Sequence, residues 1–158
     1  MGVIDLTNVP VKASTIYPPE YAPQVAGRSS LRLGEAGGLT QFGVNIVILA
    51  PGAKSSMRHW HLREDEFVMV TQGECVLAMD AGETVMHVGD CAAFPAGVTD
   101  GHCLINRSEQ EARFLVVGTK AGAEVVTYSD IDLVIERGPG GITFRHKDGR
   151  PYIPPVTA

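Results

Sequence analysis

Residue types that bind transition metals occur beside two strand-like stretches of the sequence. They are His59, His61, Glu66 and His102. Three neutral imidazoles and one carboxylate make a donor set that suits a divalent transition metal. His59 and His61 flank Trp60, and in a strand this spacing places both imidazoles on one face while Trp60 points away. The sequence therefore predicts a metal site built on a sheet.

Glu66 opens the apolar run at 67–70, directly after a charged stretch at 62–65 that is typical of a turn. A turn here predicts that Glu66 lies on the neighbouring antiparallel strand, next to the histidine strand. Its carboxylate can then reach the same point as the two imidazoles.

Two longer segments surround these residues. Residues 52–73 read GAKSSMRHWHLREDEFVMVTQG, and Glu66 stands seven residues before Gly73. Residues 89–106 read GDCAAFPAGVTDGHCLIN, with a Pro-x-Gly turn between Gly89 and His102 and with Asn106 at the end. These segments resemble the two sequence motifs of the cupin superfamily. The resemblance implies that the four residues ligate a metal and that Asn106 is a structural hydrogen-bonding residue.

Two spacings depart from the cupin pattern. Six residues rather than the usual five separate Gly52 from His59, and four rather than two separate Gly97 from His102. Both additions fall in turns, where extra residues are well tolerated, so they alter the pocket more than the ligand set. The resemblance covers residues 40–120 and is greatest to small, single-domain bacterial cupins.

The pattern of short apolar segments predicts an all-β fold. Such segments recur between Gly, Pro and Asp at 42–50, 67–70, 75–79, 84–88, 91–94, 102–105 and 113–118. Strands at this spacing predict a sandwich or barrel, here a double-stranded β-helix or jelly-roll barrel. With 158 residues and 44% hydrophobic content, we expect one domain. It would have a Pro-rich arm at 1–37, a barrel core at about 38–120 and a C-terminal extension at about 121–158.

Charge and cysteine content exclude some classes of partner. The formal net charge is −5 and no Lys/Arg cluster is present, which argues against nucleic-acid and acidic-membrane partners. Three cysteines without C-x-x-C spacing and an N-terminus without signal-peptide character predict a reduced, cytoplasmic protein. The two terminal segments could cover sheet edges of a second copy, and similar cupins often dimerise, so we expect a homodimer. Folding back onto their own barrel is the alternative.

A site of this kind leaves positions open for a small-molecule substrate. The donor set accepts Fe, Mn, Zn, Ni, Co or Cu, and the sequence does not choose among them. Isomerase and dioxygenase chemistry are both compatible with such a centre, so the prediction is a metal-dependent enzyme acting on a small molecule. The alternative is a non-catalytic cupin that binds a small ligand or a metal. Asp100 is a weak candidate for an acid/base group, and a solvated Asp-Gly turn is the better explanation of it. His87 and His146 lie outside both motifs, and we expect no role for them in the site.

Overall fold

The computed structural model describes residues 2–153 and is almost entirely β. Its only α-helix in that range is α1 (Leu33–Ala36), and two 3₁₀ helices span Leu6–Asn8 and Ala22–Val25. The thirteen strands are β1 (Val11–Lys12), β2 (Arg28–Leu31), β3 (Phe42–Leu49), β4 (His59–His61), β5 (Glu66–Gln72), β6 (Glu74–Met79), β7 (Gly82–His87), β8 (Cys91–Phe94), β9 (Cys103–Ile105), β10 (Ala112–Thr119), β11 (Glu124–Tyr128), β12 (Val134–Gly138) and β13 (Gly141–Arg145). None of the helices described has the length and apolar character needed to cross a bilayer.

The strands form two layers around one main core. One layer is a six-stranded sheet in the order β1-β2-β3-β10-β5-β8. The other layer combines β13-β12-β11-β4 with β7-β6-β9, and single bridges between Lys54 and Ile105 and between His59 and His102 join the two. Apolar side chains of both layers, among them Leu49, Phe114 and Leu104, pack into the same cluster. The predicted all-β jelly-roll barrel is confirmed.

The sheets extend past both boundaries that the sequence suggested for the barrel. β2 comes from the predicted arm, and its residues Arg28 to Leu31 pair with Leu49 to Ile46 of β3. β11 comes from the predicted C-terminal extension and pairs with β4. Within residues 2–153, both terminal segments therefore contribute strands to their own barrel, where they cover strands that would otherwise be edges.

Glycine is required at the hairpin between β5 and β6. Gly73 joins β5 to β6 with a φ of +68°, a conformation that side chains with a Cβ rarely adopt. A Cβ at this position would also lie 2.8 Å from the carbonyl oxygen of Glu111. This turn fixes the register of the strand that begins at Glu66.

Asn106 anchors the loop between β9 and β10 from a fully buried position. Its Nδ2 donates to the carbonyl oxygens of Leu49, at 2.9 Å, and Gln110, at 2.7 Å. Its Oδ1 accepts from the backbone nitrogen of Ser108, at 3.0 Å, and from the Ser108 hydroxyl, at 2.8 Å. These four bonds fit the structural role expected of this residue.

We expect Asn106→Ala to lower the free energy of unfolding by about 2–4 kcal/mol, because it leaves buried carbonyl and amide groups unpaired. Urea denaturation would measure the loss. Ser108→Ala is the matched control, since it removes only hydroxyl bonds and should cost about 1 kcal/mol or less. Equal losses in the two variants would contradict the assigned role.

Candidate metal centre

Three histidines meet where the two parts of the second layer join. The backbone nitrogen of His59 donates to His102 O at 3.2 Å, and His102 N donates to His59 O at 2.9 Å. Residues directly opposed in an antiparallel pair project to the same side, so both imidazoles share a face. The ring centroids of His59 and His102 are 4.9 Å apart, and those of His59 and His61 are 5.0 Å apart. The predicted His-x-His geometry on a strand is present.

Glu66 reaches these histidines from the opposite layer. The prediction that it lies on the strand next to β4 is wrong, because β4 pairs with β11 and β5 pairs with β10 and β8. The turn at 62–65 carries the chain across the barrel instead of back along the same sheet. Glu66 Oε1 lies 3.4 Å from His102 Nε2, and Glu66 Oε2 lies 3.6 Å from His61 Nε2. The carboxylate thus arrives at the predicted place by a different route.

Two buried carboxylates hold the turn that makes this crossing. Glu124 Oε1 accepts from the backbone nitrogens of Leu62, at 2.8 Å, and Val125, at 2.8 Å, and Glu124 Oε2 accepts from Arg63 N at 3.1 Å. Glu64 accepts from Ala121 N at 2.8 Å and pairs with Arg137. Both carboxylates lie near His61. Because both oxygens of Glu124 and Oε1 of Glu64 already have donors, the two carboxylates hold the turn in place, and Glu124 is poorly suited to ligate a metal.

The ring nitrogens of the histidines are available for coordination. Both nitrogens of His61 and of His102 are buried and have no hydrogen-bond partner within residues 2–153. His59 Nδ1 lies 3.0 Å from the carbonyl oxygen of Met57. A carbonyl only accepts, so Nδ1 carries the proton and Nε2 keeps the lone pair that a metal needs.

The spacing of these atoms also fits one ion. Ligand atoms bound at about 2.0–2.2 Å to a common metal, at tetrahedral or octahedral angles, lie roughly 3.0–3.5 Å apart. The two separations of Glu66 oxygens from imidazole nitrogens, 3.4 and 3.6 Å, are close to that range. Ligand atoms of His59, His61 and Glu66 lie within 4.8 Å of one another, and His102 adjoins this group through Glu66, so these four residues could hold a divalent transition metal.

The electrostatic environment favours the ligating forms of two of these groups. Burial, together with the neighbouring His102, lowers the pKa of His59 to about 3, so the imidazole is neutral. Burial alone would raise the pKa of Glu66, but the interactions with His102 and His61 outweigh it and hold the pKa below its ordinary value. Neutral imidazole and ionised carboxylate are the forms that bind metals.

A small cavity of about 40 Å³ adjoins His61 and His102. Its apolar walls include Phe94, which stacks on His102 with ring centroids 3.5 Å apart and planes 3° from parallel, and Val98. Trp60, which we expected to point away from the site, also lines this cavity. These side chains limit the access of water to the histidines.

Asp100 is the one carboxylate among the described residues lining this cavity. Its Oδ1 accepts from Asp80 N at 2.8 Å, so it is part of a turn as well as of the cavity wall. Asp80 in turn pairs with Arg58 Nη1 at 2.8 Å, and Arg58 also binds both oxygens of Asp130. The two aspartates raise the pKa of Arg58, so this arginine stays charged and, through Asp80, supports the turn that contains Asp100.

Some residues near the centre carry no motif that could have identified them. Tyr128 lies opposite His59 in β11, with ring centroids 5.6 Å apart, and the ring centroids of Tyr17, from the arm, and Tyr128 are 5.4 Å apart.

Cys103 follows His102 in sequence, but burial raises the pKa of its thiol to about 11, so it is a neutral core side chain. The histidines outside the motifs lie elsewhere: His87 pairs with Glu74 and His146 with Asp132.

Comparisons with known proteins agree with this architecture. Residues 45–118 match the family model described as Cupin domain. A crystal structure from Silicibacter pomeroyi, named a sugar phosphate isomerase from the cupin superfamily, is 51% identical over 96% of this chain and 97% of that one, with a TM-score of 0.94. The polyketide cyclase RemF from Streptomyces resistomycificus shares the fold at 22% identity, covering 75% of this chain and 79% of its own, with a TM-score of 0.62. A search of curated protein sequences gives no significant match.

Proposed function

This chain belongs to the cupin superfamily, and we propose that it is a divalent-metal-dependent isomerase that acts on a small phosphorylated sugar. The observation that carries the metal dependence is the convergence of three imidazoles and Glu66, with buried ring nitrogens that have no other partner in residues 2–153. The relative from Silicibacter pomeroyi, at 51% identity, supports isomerase over dioxygenase chemistry.

The chemistry of an isomerase matches what this site offers. A divalent metal, when bound, supplies Lewis-acid polarisation of a carbonyl or hydroxyl oxygen. Interconversion of an aldose and a ketose moves one proton between adjacent carbons and a second proton from the hydroxyl oxygen on one carbon to the carbonyl oxygen on the other, and it needs no oxidant or reductant. In this chain, His59, His61, Glu66 and His102 would hold the metal, and Asp100 would transfer the proton from the cavity wall. The apolar side chains of Phe94 and Val98 would keep water away from the reacting carbons.

We expect Asp100→Asn to lower kcat by about 100-fold or more while the bound metal stays unchanged, because general acid–base catalysis contributes factors of that size. Steady-state assays with a panel of aldose and ketose phosphates, together with elemental analysis, would measure both quantities. Asp148→Asn, a change of the same kind at an exposed site, is the control. A variant with unchanged kcat would remove Asp100 from the mechanism.

The same panel tests the proposed function as a whole. Interconversion of one aldose phosphate with its ketose phosphate, lost on chelation and restored by added metal, is the expected result. Metal-bound protein that turns over none of the sugar phosphates would contradict it and favour a non-catalytic cupin that binds a small ligand. Consumption of dioxygen with a hydroxylated substrate would favour a dioxygenase.

A further inference from the structure

Arg28 is a half-buried cation without a partner among residues 2–153. Its Nε is inaccessible to solvent, and the side chain makes no hydrogen bond or ion pair to any group in residues 2–153. Seven other arginines each pair with a carboxylate, namely Arg32, Arg58, Arg107, Arg113, Arg137, Arg145 and Arg150. The remaining arginine, Arg63, is exposed. A guanidinium nitrogen removed from water without an acceptor is costly, so the buried Nε of Arg28 marks a position where an anionic acceptor would be stabilising.

The register of β2 points Arg28 toward the barrel interior. Arg28 is directly opposite Leu49, which is fully buried in the main core, and Ser30 is opposite the buried Val47. Opposed residues share a face, so the Arg28 side chain lies on the inward side of the same sheet that presents Glu66. The alternation that turns Val68 and Val70 inward also turns Glu66 inward.

Arg28 lies within electrostatic reach of the candidate metal centre. Burial lowers the pKa of its guanidinium, whereas Tyr17 and the charge of Glu66 act in the opposite direction. Tyr17 packs on Tyr128, and Tyr128 packs on His59. Arg28 therefore belongs to the surroundings of the centre, on the side covered by the N-terminal arm.

There is space for a ligand beside this residue. A cavity of about 290 Å³ lies between the arm and the start of β2, and its lining includes Thr15, Gly27, Arg28 and Ser29. This is about ten times the ~30 Å³ that one water molecule occupies in the liquid. Thr15 contributes a hydroxyl group, which is also suited to anionic oxygens.

We propose that Arg28 is an anion-binding residue that receives the phosphate group of the substrate, with the arm segment around Thr15 forming the outer wall of that subsite. A guanidinium binds phosphate oxygens through paired N–H donors, which suits it to this task better than a lysine. The proposal rests on the proposed function, because it assigns one end of a phosphorylated substrate to Arg28 and the other to the metal centre.

Binding of inorganic phosphate to chelator-treated, metal-free protein tests the proposal, and isothermal titration calorimetry would measure it. We expect the wild-type protein to bind phosphate with an affinity that falls as salt is added. Arg28→Gln should weaken binding at least about 10-fold, since hydrogen bonds between charged partners are among the stronger ones. Arg63→Gln removes the same charge from an exposed site and should bind like wild type. Arg28→Lys should retain part of the affinity.

Either of two results would overturn the proposal: no phosphate binding by the wild-type protein, or equal binding by wild type, Arg28→Gln and Arg28→Lys. Circular dichroism identifies a variant that fails to fold, and the wild-type titration stands even then. Acetate in place of phosphate distinguishes a carboxylate-selective site, which would also contradict a phosphate subsite. The phosphate titration needs no metal, so its outcome does not depend on whether the protein is a metal-dependent isomerase. Isomerase activity can likewise be found or excluded whatever the titration shows.

Discussion

The double variant His59→Ala/His61→Ala should lose at least about 1,000-fold in affinity for a divalent metal and should show no isomerase turnover. Changing a group that only orients a metal ligand already lowers metal affinity by about 10–100-fold, so the loss of two ligands should lower it further. Titration with a competing fluorescent chelator would measure the affinity. His87→Ala is the matched control because His87 is exposed and pairs with Glu74, away from the centre.

The fold should survive this double substitution. The nitrogens of His61 contribute no hydrogen bond within residues 2–153, and the loss of His59 leaves one acceptor unpaired, the carbonyl oxygen of Met57, at a cost of about 1–3 kcal/mol. Near-wild-type circular dichroism is therefore expected for the metal-free variant. Metal binding by the double variant that equals wild type would show that these histidines are not ligands.

Glu124→Ala should produce the largest loss of stability, roughly 3–5 kcal/mol. The Glu124 carboxylate is only 2% exposed and accepts hydrogen bonds from the backbone nitrogens of Leu62, Arg63 and Val125. With those donors left unpaired, the crossing between β4 and β5 loosens. His61 and Glu66 lie on either side of that crossing, so metal affinity should fall as well, although neither ligand has been changed.

Glu124→Gln is the informative comparison, since its carbonyl oxygen can still accept one or two of these hydrogen bonds. We expect a loss of about half that of Glu124→Ala, with metal affinity closer to wild type. Chemical denaturation of the metal-free proteins measures stability, and chelator competition measures affinity. Full stability of Glu124→Ala would show that the turn holds its conformation without the carboxylate.

Local sequence information was sufficient for the fold class and for the four residues that meet in the barrel. Alternating apolar segments identify strands, and the positions of His59, His61, Glu66 and His102 follow from two short motifs. Both depend on spacing within about twenty residues. The hairpin at Gly73 was predictable for the same reason, because the glycine itself signals a positive φ.

What the sequence did not reveal depends on pairing between distant segments. Glu66 was assigned to the strand next to β4, because a short charged turn usually makes a hairpin, whereas here it crosses to the facing layer. Arg28 and Glu124 are far from the motifs, and only the pairing of β2 with β3 and of β11 with β4 places them near the centre. Nothing in their immediate neighbours distinguishes them from ordinary surface charges.

Metal content is the most direct test of the account. The protein should be purified without a metal-binding affinity tag and examined by elemental analysis, before and after incubation with Fe(II), Mn, Ni, Co, Cu or Zn. The account predicts close to one divalent transition metal per chain, bound by His59, His61, Glu66 and His102. Protein that holds no metal, and takes up none of these ions, would contradict it.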